Sequence, residues 1–166
     1  MASVTIALPD PWVMVDVEDL TNGRLAALPD EARAIRNVLM DTAARLADRK
    51  VGFLALRVLS AENGMEPTGL LSLTLDQSDA TNLHEVEERV QQEFAQVQHR
   101  VLGATEYIVG VSTESDEQAF VRGDFRLVED GLLLTVWSAI TVMDDASIEH
   151  EVLDLIVSSL QLHTTE

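Results

Sequence analysis

His150 and Asp154 are the residues of this chain whose types and spacing come nearest to a reactive site. At i and i+4 of a helix they face the same way. With Glu149 and the pair Asp144–Asp145 close by, they form the one mixed histidine–acid cluster in the sequence. That spacing suits a divalent ion. The simpler expectation is a solvated first helical turn, its carboxylates set against the positive helix end, and no metal site is expected. Of the remaining histidines, His84 and His99 fall fifteen residues apart on one expected helix. They stand about four turns from each other there and cannot share an ion.

Nucleophilic chemistry finds less support. G-x-S-x-G, S-x-x-K, the P-loop and G-x-G-x-x-G are all absent. Ser138 falls within an expected strand and Ser158–Ser159 within an expected helix, none with a histidine at a defined local position. Arg122-Gly123-Asp124 is an RGD tripeptide, expected to be part of a strand or turn. Adjacent acids such as Glu87/Glu88, Asp116/Glu117 and Asp144/Asp145 arise readily among 29 acidic residues in 166. Neighbours on a helix do not face each other, so none is taken as a catalytic pair. No catalytic residue and no cofactor are therefore expected. Trp12 and Trp137 are the candidate binding residues. Trp137 is expected in the core. Trp12, after a proline turn, is expected at a core edge or on a binding rim, where tryptophan is favoured.

Composition narrows the classes further. No cysteine is present, which removes disulfides, thiol nucleophiles and cysteine-bound metal. The net charge is −18, and the imbalance is concentrated: residues 51–166 carry five basic and 21 acidic side chains. So negative a surface repels phosphate backbones and anionic bilayers alike, so neither nucleic acid nor membrane is an expected partner. A basic protein partner is compatible with it. The opening MASVTIALPDPW has no basic stretch followed by an apolar run, so no leader is expected and the expected location is cytoplasmic. No run of 18 apolar residues occurs.

The elements that must position these residues follow from periodicity. Val4, Ile6 and Leu8 alternate as a strand, and Pro9 and Pro11 end its pairing. A helix is expected from about Pro29 to Lys50, with Ile35, Val38, Leu39 and Leu46 in its stripe. Val51–Leu59 and Leu70–Leu75 are expected to form a hairpin with a long loop. A second helix is expected to run from about Asp79–Asn82 to Gly103, striped by Leu83, Val86, Val90, Phe94, Val97 and Val101. Strands follow at 105–112, 119–128 and 132–143, with Glu129-Asp130-Gly131 as a tight turn. The last strand is apolar on both faces, as a central strand would be. A third helix is expected from about Ala146 to Leu160. With 46% apolar residues and no repeat or linker, residues 1–166 read as a single domain. The expected fold is α+β: an α/β/α sandwich with a mostly antiparallel sheet of about six strands and three helices.

The opening strand ending in Leu8-Pro9-Asp10-Pro11-Trp12, then Val13-x-Val15, resembles the start of PsbP-like superfamily domains. The closing strand and the helix ending Ile156-Val157-Ser158-Ser159-Leu160 resemble the end of such domains. That superfamily includes photosystem oxygen-evolving subunits, a Ran-binding nuclear import factor and LpqN-type actinobacterial lipoproteins. The resemblance implies a non-enzymatic binding or assembly module, and it brings no catalytic motif. The expected function is a non-catalytic binding or accessory module that engages a protein partner, with a homodimer as a further possibility. The alternative is a small enzyme or ligand-binding protein with a pocket between sheet and helix.

Overall fold

The structure is a computed structural model that describes residues 2–15, 51–61, 64–113, 118–128, 131–143 and 145–164. Its strands are β1 (Ala2–Thr5), β2 (Trp12–Val15), β3 (Val51–Ala61), β4 (Gly64–Gln77), β5 (Gln96–Leu102), β6 (Thr105–Thr113), β7 (Ala119–Val128), β8 (Leu132–Thr141) and β9 (Gln161–Thr164). Its helices are α1 (Leu83–Glu93) and α2 (Ala146–Ser158). Seven strands form one sheet in the order β2-β3-β4-β8-β7-β6-β5, and β1 pairs with β9 in a second sheet. Every pairing is antiparallel.

This corrects the expected architecture. The main sheet has seven strands rather than about six, a second sheet is present, and the described residues contain two helices rather than three. The helix expected from Pro29 to Lys50 lies outside the described residues. One strand of the main sheet, β5, comes from the second half of the expected long helix. Val97 and Val101, four residues apart, satisfy a helical stripe and equally one face of a strand. Phe94 decides between them. Its ring lies over Gly110 of β6 and Gly123 of β7, where a Cβ would come within 2.6 and 3.0 Å of it. The docked ring ends α1, and Phe94 is already extended, with φ −119° and ψ 145°. The chain then continues as β5, and Gly103, at φ 61°, turns it directly into β6. Gly103, the expected end of that helix, is left-handed and closes a hairpin instead.

Two other elements differ in extent. The long loop expected between β3 and β4 is strand almost throughout, because β4 starts at Gly64. A register shift beside Arg57, which pairs with Gly69 while Val58 pairs with Pro67, leaves Thr68 as the extra residue. The opening strand pairs with β9 and not with the main sheet. Val4, Ile6 and Leu8 still pack on the core.

Local chemistry accounts for the helices. Asn82 caps α1 by accepting from the Glu85 N–H at 3.0 Å, and Glu85 accepts in return from the Thr81 N–H at 2.7 Å. Asp145 caps α2 by accepting from the Ser147 N–H at 2.9 Å. The helices lie on opposite faces of the sheet. α1 buries Val86 and Val90 against Ile108, while α2 buries Leu153 and Ile156 against Leu71, Leu73, Leu134 and Val136. β8 is the middle strand of the seven, as its apolar faces require.

Candidate functional site

On the α2 face the sheet carries charge where a core would be apolar. β7 reads Phe120-Val121-Arg122-Gly123-Asp124-Phe125-Arg126. Strand alternation sends residues 122, 124 and 126 to one face and 123 and 125 to the other. The RGD tripeptide is thus resolved into two functions. Gly123 leaves room for Phe94 and Phe125 beneath the sheet, while Arg122 and Asp124 pair with each other above it.

Arg122 is fully buried. It donates Nε to Asp124 Oδ2 at 3.0 Å and Nη2 to Asp124 Oδ1 at 2.8 Å, a bidentate pair. Nη2 also donates to Asp154 Oδ1 at 2.5 Å. Nη1 donates to the His150 carbonyl at 3.2 Å and lies 3.3 Å from His150 Nδ1. A guanidinium can only donate, so Nδ1 is the acceptor and the imidazole is neutral. Arg100 of β5 reaches the same Asp154 oxygen at 2.5 Å. His150 and Asp154 do share a helix face, and arginines occupy both of them. Among the described residues, no group of three or more His, Asp or Glu is placed to hold a metal ion.

The electrostatics follow from burial and neighbours. Burial lowers the His150 pKa, helped by Arg122, and the ring stacks on Phe120 with centroids 4.3 Å apart. Burial pushes the Asp124 carboxyl up, against the pull of Arg122. Burial disfavours the charged Arg122, but Asp124 and Asp154 outweigh it and raise its pKa. Tyr107 of β6 is raised by burial and then by Asp124 and Asp154, so it keeps its hydroxyl proton.

Beside this network a small cleft of about 70 Å³ opens between the C-terminal half of α2 and the β6–β7–β8 face. Its walls are Leu102, Leu134, Val136, Val157 and Leu160. Its polar groups come from Thr105, Tyr107, Asp124, Arg126 and Ser158. Two of these are unusual. Tyr107 is 3% exposed, and its hydroxyl has no hydrogen-bond partner among the described residues. Arg126 is half-buried and has no ion pair there either. A buried hydroxyl left unpaired costs about 1–3 kcal/mol. An apolar recess with a few convergent polar groups is the common form of a small-molecule site.

The two tryptophans are not brought together. Trp12 is buried, with its ring against the α2-face core and over Gly69, whose added Cβ would meet it at 3.1 Å. Trp137 is half-buried and pairs with Gly123 and Ser72 on the opposite face. Ser138 is fully buried and donates to the Arg122 carbonyl at 3.3 Å. Periodicity places Tyr107 in a strand but does not single out Tyr107, Arg100 or Arg126 as functional. The available signal was the alternation Arg122-x-Asp124-x-Arg126, which places charge on one face of a strand inside an apolar domain.

No family model matches the chain, and no curated protein matches it. Its fold is similar to that of the crystal structure of LpqN, a protein involved in cell envelope biogenesis of Mycobacterium tuberculosis. The TM-score is 0.50 at 12% identity, over 99% of this chain and 85% of that one. The LpqN-type part of the resemblance therefore holds at the level of fold. No helix among the described residues is long and apolar enough to cross a membrane.

Proposed function

We propose that the protein is a small-ligand-binding module whose site is the cleft between α2 and the β6–β7–β8 face. The observation that carries this reading is the Tyr107 hydroxyl, buried and without a partner at the wall of an apolar recess. A buried donor needs an acceptor, and the described side chains supply none. The network around Arg122 supports a binding role because every charge in it is already matched, which makes it a rigid wall. Filling the cleft tests the reading. Val157→Phe should abolish methyl-resonance shifts induced by a small-molecule panel while leaving the unfolding transition cooperative. Ligand shifts that persist in that variant, or a wild-type protein that responds to no compound, would refute it.

Engagement of a protein partner is the second reading. It is favoured by exposed apolar residues on both edge strands, Val13 and Met14 on β2 and Val101 and Leu102 on β5. Either role fits a cytoplasmic or an envelope setting. The distant fold likeness to LpqN makes a part in envelope assembly the process to examine first.

A further inference from the structure

The charges around the cleft are distributed against the trend of the chain. Residues 51–166 hold five basic side chains among 21 acidic ones. Three of those five, Arg100, Arg122 and Arg126, converge on the α2 face beside the cleft. Arg100 and Arg122 are neutralised by Asp124 and Asp154. Arg57 pairs with Glu149 and Arg89 with Asp79. Arg126 is thus the one arginine of this region without an ion pair among the described residues. In a chain with so many carboxylates, an unmatched guanidinium at the mouth of an apolar recess is a selective feature. It attracts an anion, and the surrounding negative surface disfavours polyanions.

We propose that the cleft binds a small organic monoanion, its acid group held by Arg126 and its apolar body lying along Val136, Val157 and Leu160. The inference rests on the cleft being the ligand site and adds the chemical class of the ligand. Tyr107 keeps its proton and supplies a second donor. Asp124 does not repel the ligand, because both of its oxygens already accept from Arg122. A cationic ligand would meet an uncompensated guanidinium, and a neutral one would leave it unused.

Calorimetric titration at pH 7 with octanoate, octanol and octylamine separates these cases. Octanoate should bind at least about tenfold more tightly than octanol, and octylamine should not bind, since a hydrogen-bonded charge of this kind accounts for roughly that factor. Arg126→Gln should reduce octanoate to the level of octanol and leave octanol unchanged, whereas Arg126→Lys should retain part of the preference. Equal binding of all three probes, or octanoate binding unaffected by Arg126→Gln, overturns the anion assignment and leaves the cleft as the site. Failure of every probe to bind overturns both.

Discussion

α2 is fixed to the sheet twice by the same device, and the two places differ in what surrounds them. Near its N-terminal end Glu149 pairs with Arg57. Arg57 also donates to Thr68 Oγ1 at 2.9 Å and to the Thr141 carbonyl at 2.6 Å. Trp12, Gly69 and Ile140 pack tightly beside it. His150, the residue after Glu149, and Asp154, just over a turn further along, engage Arg122, and beyond them lies a cleft whose Tyr107 hydroxyl and Arg126 guanidinium have no hydrogen-bond or ion-pair partner, respectively, among the described residues. Both regions satisfy a buried arginine. Among the described residues, only the second of these two regions retains polar groups without a partner. A buried ion pair alone thus says little about function, whereas leftover donors beside an open recess say more.

The largest expected effect comes from the buried charges. Arg122→Met leaves Asp124 unpaired in the core and should cost on the order of 3–5 kcal/mol in urea unfolding. Arg122→Met with Asp124→Leu removes both charges and should recover most of that loss. If the single variant costs no more than a surface change, the network is not the rigid wall described above. Trp12→Ala should cost about 3 kcal/mol through cavity formation at the sealed end. It should leave octanoate affinity intact, and a parallel loss of affinity would erase the distinction between the two regions.

Smaller effects sharpen the comparison. Tyr107→Phe removes a buried unpaired hydroxyl and should raise stability by about 1 kcal/mol while weakening octanoate. A destabilised variant would show that the hydroxyl is satisfied in the free protein. The smallest effect is that of pH. The folded state holds His150 below its ordinary value of 6.5, so the neutral ring is favoured on folding. The resulting stability is complete above pH 6.5 and is lost as pH falls through the folded value. The urea midpoint should decline over that window in the wild type and less so in His150→Gln.

Much of this was legible in the sequence, and the rest was not for physical reasons. The two apolar faces of Leu132–Thr141 pointed to a central strand, and β8 is one. The two described helices begin where periodicity expects them, after Asp79–Asn82 and at Ala146. The stretch from Gln96 to Leu102 is ambiguous in sequence because Val97 and Val101 fit either periodicity, and the contact of Phe94 with Gly110 and Gly123 that decides it is tertiary. The cleft was harder still. Tyr107, Arg126 and Val157 come from three separate elements, and the feature that singles out Tyr107 is a missing hydrogen bond, which no spacing records.

A single titration separates the sealed end of α2 from the open one. Octanoate added to methyl-labelled protein should shift the Val136 and Val157 resonances and leave Val13, beside Trp12 on β2, unmoved. Shifts centred on Val13 and the Trp12 indole, or no shifts at saturating octanoate, would contradict a ligand site at Tyr107 and Arg126.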